Sequence, residues 1–265
     1  MFTDSHCHLN FPELLSELPA IREAMAQAQV TRALCISTTL EEFGTVHQLA
    51  LDFDNFWATV GVHPDNEGVQ EPTLDALLSL GRLPRVVGIG ETGLDYYRLN
   101  GRSVADMAWQ RERFRTHIQA ARQLQKPLVI HTREASEDTL SILREEGEDG
   151  SAGCAGGVFH CFTEDESVAK QALDLGYYIS FSGILTFKSA QNLRDIAAMV
   201  PLDRLLIETD SPYLAPVPYR GKTNNPSYVP WVAKQLAEIK QCSVEDMGHL
   251  TSLNFDTLFK GVKSC

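Results

Sequence analysis

Residues 204–210 read RLLIETD, an apolar run that ends with Glu208 and Asp210 on alternate positions. A strand with one wet face alternates polar and apolar residues, whereas a parallel strand covered on both faces is apolar almost throughout. The segment therefore predicts a buried parallel strand that delivers carboxylates at its C-terminal end. Three stretches earlier in the chain have the same character: PLVIHT at 127–132, FWATVGVH at 56–63 and RALCIST at 32–38. In all, strand-like runs fall at Phe2–Ser5, Arg32–Thr38, Phe56–His63, Val86–Thr92, Pro127–Thr132, Gly156–Phe162, Tyr177–Gly183 and Arg204–Asp210. Helical periodicity fills most of the gaps, as at Trp109–Gln125, Ser136–Glu146, Glu164–Leu175 and Ser189–Val200. Eight such alternations predict an α/β fold, a single (β/α)8 barrel with parallel strands.

After Asp210 the pattern lapses. SPYLAPVPYRGKTNNP, with four prolines, predicts a long loop over the barrel rim. Two helices, Tyr228–Lys240 and Ser243–Phe259, are expected to close the fold, with Ser243 and Asp246 as a cap. No linker or internal repeat divides the 265 residues, which read as one domain.

Metal-binding residue types recur at the C-terminal ends of these runs: His6, His8, Glu91, His131, His160 and Asp210. In a parallel barrel those ends converge on one rim, so residues scattered in sequence are expected to meet in one metal centre. His6 and His8 share a strand face, the geometry for gripping one cation. Glu91, in GIGETGLDYY, has two oxygens and can bridge two ions, or it can cap its loop. Asp95 is expected to order that loop. His131 and His160 each close an apolar run, where a buried imidazole needs a partner; either a cation with an outer acceptor or an ordinary hydrogen bond would serve. Asp210 is assigned to the metal and to proton transfer. Glu208 is placed behind it, unless it pairs with a nearby base. Four histidines and two carboxylates exceed what one ion takes, which favours two divalent metals, with magnesium, manganese, zinc and iron all suited. Such a pair acidifies water and stabilises developing negative charge, so hydrolysis is the expected reaction.

Composition narrows the partners. With 23 Lys and Arg against 35 Asp and Glu, the formal charge of −12 argues against broad electrostatic binding to nucleic acid. The longest apolar stretch falls short of a membrane span, and no leader precedes His6, so a cytoplasmic protein without membrane attachment is expected. The six cysteines, Cys7, Cys35, Cys154, Cys161, Cys242 and Cys265, lack C-x-x-C spacing and read as reduced thiols. Strand alternation points Cys7 and Cys161 away from the histidine face.

Together, DSHCHL, GVHP, GETGLDYY, VIHTR, HCFT and ETDSPYLAP, spread over residues 4–226, resemble the TatD-type metal-dependent deoxyribonucleases, a branch of the amidohydrolase-like barrels. The resemblance implies the same six ligands, two divalent metals and cleavage of DNA phosphodiesters from the 3′ end of single strands. It also implies phosphate contacts from His63 and Arg133. His63 alternatively braces its loop, and Arg133 pairs with Glu134 or Glu137. Arg220 and Lys222 either guide the nucleic-acid backbone or lie in a solvated loop. The rival reading is a hydrolase of a small amide, lactone or phosphoester using the same centre. An aminoacyl-nucleic-acid esterase and a catalytically idle scaffold are more distant alternatives.

Overall fold

The apolar runs pair side by side in chain order. A computed structural model describes residues 1–262. Its strands are β1 (Phe2–Cys7), β2 (Val30–Cys35), β3 (Phe56–Val60), β4 (Val86–Asp95), β5 (Leu128–Arg133), β6 (Gly157–Phe159), β7 (Tyr178–Phe181) and β8 (Leu205–Ile207). All neighbours are parallel and the order is sequential. Hydrogen bonds from Asp210 N to His6 O and from His8 N to Ser211 O, both 2.9 Å, join the last strand to the first and close the barrel. Helices α1 (Pro12–Leu15), α2 (Leu18–Gln27), α3 (Phe43–Asp52), α4 (Leu74–Gly81), α5 (Ala108–Leu124), α6 (Ser136–Glu145), α7 (Glu166–Asp174) and α8 (Gln191–Met199) fill the crossovers. The terminal helices α9 (Val229–Lys240) and α10 (Val244–Leu258) follow, and the Ser243 hydroxyl caps α10 by accepting the Asp246 N–H at 3.0 Å.

Strand parity divides the core. Val129 and His131, Val158 and His160, and Leu206 and Glu208 each stand two residues apart, so each pair shares one strand face. The first members, with Leu34, Trp57, Val87 and Tyr178, form a buried cluster sealed by Phe255 and Phe259 at the C-terminal end of the chain. A separate apolar shell lies between strands and helices. The barrel lumen is thus apolar below and polar above, which sets the polar residues at the C-terminal rim.

The strand bounds depart from expectation by up to three residues at the ends, and three of the departures bear on the predicted ligands. β4 runs on to Asp95, which puts Glu91 inside a strand rather than at its end. Strands β6 and β8 stop short of His160 and Asp210. Just beyond those strand ends, Cys161 and Asp210 adopt φ of 41° and 55°, left-handed backbone that leaves the pleat. Aspartate tolerates that conformation better than most residues do. Among the described residues no helix is long and apolar enough to cross a membrane. Cys7, Cys35, Cys154, Cys161 and Cys242 are free thiols, while Cys265 lies outside the described residues.

Candidate metal centre

All six predicted ligands meet on the rim: His6, Glu91 and His131 lie in β1, β4 and β5, while His8, His160 and Asp210 lie just past the ends of β1, β6 and β8. Glu91 sits at their centre. Its Oε2 lies 3.3 Å from His6 Nε2 and 3.8 Å from His8 Nε2. Its Oε1 lies 2.9 Å from His160 Nε2, 3.4 Å from His131 Nδ1 and 3.3 Å from His63 Nε2. Asp210 Oδ1 joins the first group, 3.4 Å from His8 Nε2 and 3.6 Å from His6 Nε2. The two oxygens of one carboxylate therefore serve two different nitrogen sets.

Local sequence explains how Glu91 reaches this position. Gly93 has φ 126°, and a Cβ there would lie 1.9 Å from the His131 carbonyl oxygen, so only glycine lets β4 and β5 approach this closely. Gly61 plays the matching part beside β3, where a Cβ would meet Gly90 at 2.4 Å.

Hydrogen bonding on the far side of each ring decides which nitrogen faces the centre. His131 Nε2 lies 2.9 Å from Asp95 Oδ2, and His160 Nδ1 lies 3.2 Å from Glu208 Oε1. His8 Nδ1 faces the Ile36 carbonyl at 3.4 Å. A carboxylate or carbonyl can only accept, so in each neutral ring the proton goes outward and the lone pair inward. His63 is the reverse. Its Nδ1 accepts the Asp65 N–H at 3.0 Å, so its proton is on Nε2 and points to Glu91. That makes His63 a donor at the site, although its ring nitrogen, Glu91 and His131 lie close enough to surround an ion.

The inward donor set fits divalent cations. His6 Nε2 and His8 Nε2 stand 3.2 Å apart, tip to tip. His160 Nε2 is buried without a hydrogen-bond partner, despite its 2.9 Å approach to Glu91. Ring nitrogens turned inward beside the Glu91 and Asp210 oxygens are a donor set that zinc, manganese or magnesium would satisfy. Neither Cys7 nor Cys161 takes part, as alternation predicted. Cys7 Sγ faces the Leu34 carbonyl at 3.4 Å and Cys161 Sγ lies 3.2 Å from Ser182 Oγ.

Charge interactions outweigh burial for most of the cluster. Burial alone would raise the Glu91 carboxyl, but His160, His63 and His6 hold it well below the usual carboxylate range. Burial would lower His160, yet Glu91 and Glu208 hold it well above the ordinary imidazole value. His6 is pushed down, first by burial and then by the adjacent His160, which stacks on it at 3.8 Å.

Several supporting residues were only partly visible in the sequence. Asp95 does order its loop, accepting the Tyr97 N–H at 2.9 Å, but it also fixes His131. Glu208 has His160 as its basic partner and accepts the Cys161 N–H at 2.8 Å as well. Asp4 was missed. Fully buried, it accepts from Thr209 N, Thr209 Oγ1 and His6 N at 2.9, 2.5 and 3.2 Å, tying β1 to the segment between Glu208 and Asp210. Burial pushes its carboxyl up to about 8. Its even-numbered place before His6 and His8 was the available signal. His117 was also missed; from α5 it accepts the Val62 N–H at 3.0 Å, bracing the residue before His63.

The predicted cationic contacts are dispersed. Arg133 is exposed and makes no ion pair among the described residues, so pairing with Glu134 or Glu137 does not occur; its guanidinium lies 3.5 Å over the Tyr97 ring. Arg220 sits over Phe187 at 4.0 Å, and Lys222 lies 5.6 Å from the Tyr219 ring.

A parallel barrel with histidines and carboxylates gathered around one shared glutamate at its C-terminal rim belongs to the class of metal-dependent hydrolases. The family model described as TatD related DNase matches residues 3–260, and the chain belongs to that family. It is 46% identical over 259 residues to the uncharacterized metal-dependent hydrolase YcfH of Escherichia coli (strain K12), covering 97% of this chain and 94% of that one. Identity to the uncharacterized metal-dependent hydrolase YabD of Bacillus subtilis (strain 168) is 37% over 261 residues, with 98% and 99% covered. Among solved structures, YJJV, a TatD homologue from Escherichia coli K12, superposes with a TM-score of 0.88 at 28% identity, with 97% of each chain covered.

Proposed function

We propose that this protein is a two-metal deoxyribonuclease that hydrolyses DNA phosphodiesters, acting as a 3′→5′ exonuclease on single-stranded ends in the cytoplasm. One observation carries the reading: the two oxygens of Glu91 address separate sets of inward-facing nitrogens. His6, His8 and Asp210 would hold one divalent ion, His131 and His160 a second, and Glu91 both. Such ions polarise a phosphoryl oxygen and lower the pKa of water towards neutrality.

The chain's own groups supply the rest. Asp210, the most accessible of the carboxylates at the centre, accepts the proton of the attacking water. His63 Nε2–H donates to a phosphoryl oxygen, a role its pinned tautomer favours. Glu208 and Asp95 keep His160 and His131 aligned. Arg133 offers a planar fork of donors to a backbone phosphate. The net charge of −12 weighs against long duplexes and favours short unpaired ends. The family's printed description and the relatives' designation as metal-dependent hydrolases accord with this reading. So does the free state of the described thiols with a reducing compartment.

The test is incubation of the purified protein with 3′- and 5′-labelled single-stranded oligomers and magnesium, manganese, zinc or chelator, with Asp210→Asn as control. Metal-dependent shortening from the 3′ end, absent in the variant, is expected. No cleavage with any metal, together with turnover of small lactones, amides or phosphoesters, would replace the nuclease reading by the small-molecule one.

A further inference from the structure

Every phenylalanine, tyrosine and tryptophan of the chain lies within the described residues, and only Tyr97 and Tyr213 are exposed, at 50% and 55%. Leaving an aromatic ring in water forgoes the gain from burying it. The fold makes that exception twice, and both times at the rim of the same centre. Tyr97 follows β4, and its N–H is held by Asp95, whose other oxygen holds His131. Tyr213 follows β8, and its N–H donates to the Asp210 carbonyl at 3.0 Å.

The sheet order places these two rings across the mouth from each other. In a closed ring of eight strands taken in sequence, the β4–β5 edge lies opposite the β8–β1 edge. On the first side, Arg133 from β5 covers one face of Tyr97 and leaves the rest of the ring exposed. On the second, Phe11 meets Tyr213 at 6.3 Å with its plane turned 78°, and itself stacks on His8 at 4.9 Å. Glu91 and its nitrogens lie between. Each side thus offers an aromatic surface joined by direct contact to a residue of the metal centre.

We propose that Tyr97 with Arg133, and Tyr213 with Phe11, are two base-stacking subsites flanking the scissile phosphate. The substrate they select is a single-stranded nucleic acid with an unpaired base on each side of the bond that is cut. Aromatic platforms grip bases without reading sequence, because every base has a π-face. Paired bases stack on their own neighbours and cannot occupy both platforms. This inference rests on the nuclease reading above and deepens it, naming the side chains that would hold the bases of the single strand on either side of the bond.

The experiment pairs each variant with a substrate that lacks the base it would hold. Tyr97→Leu, Tyr213→Leu and the corresponding Phe variants are assayed on a short single-stranded DNA, on the same DNA with an abasic residue on either side of the scissile bond, and on bis(p-nitrophenyl) phosphate. Each Leu change is expected to lower kcat/KM for intact DNA relative to the small diester by about 5- to 150-fold, the range for losing one stacked base. Phe, which keeps the ring, restores the ratio. The penalty for each Leu variant disappears on DNA that is abasic on one particular side, and the two variants choose opposite sides. As a readout independent of turnover, 2-aminopurine at those positions is quenched on binding in chelator, and less so by the Leu variants. Cleavage of DNA by the wild type combined with an unchanged ratio, or with a penalty that persists on abasic DNA, overturns the subsites while the nuclease reading stands. No cleavage of DNA by the wild type with any metal overturns both.

Discussion

His117 makes stability fall in mild acid by an amount that can be worked from its contacts. The imidazole is fully buried in α5, donates from Nδ1 to the Arg113 carbonyl at 2.8 Å and accepts the Val62 N–H at Nε2 at 3.0 Å. A proton on Nε2 would destroy the second bond and place a charge in an apolar setting, and burial lowers its pKa from 6.5 to about 4. In the unfolded chain the group titrates near 6.5, so below that pH the unfolded state binds the extra proton. The stabilising contribution is complete above pH 6.5 and is lost as pH falls towards about 4. Between about pH 7.5 and about pH 5 the loss is about 2 kcal/mol, and it approaches about 3 kcal/mol in stronger acid. Urea unfolding in chelator of the wild type and His117→Gln isolates this group, because all other titrations are common to both. Glutamine's carbonyl can accept the Val62 N–H without titrating. The wild type's advantage at about pH 7.5 is expected to shrink by about 2 kcal/mol at about pH 5. A gap independent of pH would refute the reasoning.

Glu91→Gln removes the shared charge while keeping the shape. Turnover is expected to fall by orders of magnitude and bound metal to drop in elemental analysis, with the far-UV circular dichroism unchanged; normal metal content and turnover would contradict the bridging role. Glu208→Ala frees the His160 ring and leaves the Cys161 N–H unpaired, so metal affinity or turnover should decline about 10- to 100-fold, as read by titration with manganese. Arg133→Ala is expected to flatten the salt dependence of DNA cleavage by about one phosphate contact, measured as the slope of log affinity against log salt. An unchanged slope would remove Arg133 from the backbone contacts.

The barrel was legible because its signal is local. RLLIETD and PLVIHT are apolar on both faces, and only a covered parallel strand rewards that pattern. The convergence of the six candidate ligands was legible for a related reason: the fold carries strand ends to one rim whatever the loops do. Exact strand ends were less so, because the left-handed turns at Cys161 and Asp210 answer to hydrogen bonds made with other strands rather than to their own sequence. The supporting shell was the least visible part. Asp95 was read as a loop-ordering residue because nothing in GETGLDYY says that His131, 36 positions later, lies beside it. Asp4 and His117 look like ordinary polar residues in a strand and a helix, and their partners Thr209 and Val62 are distant in sequence. Arg133 was read as a phosphate contact or as the partner of Glu134 or Glu137, and its place over Tyr97 was not foreseen because it depends on β4 running three residues longer than its composition suggested.

In the proposed enzyme Glu91 would divide the site between two ions. Anomalous diffraction at the manganese edge from crystals soaked in manganese tests it most directly. Two peaks about 3.5–4 Å apart, one on each side of the Glu91 carboxylate, are predicted. A single peak, or peaks that Glu91 does not touch, would contradict the account.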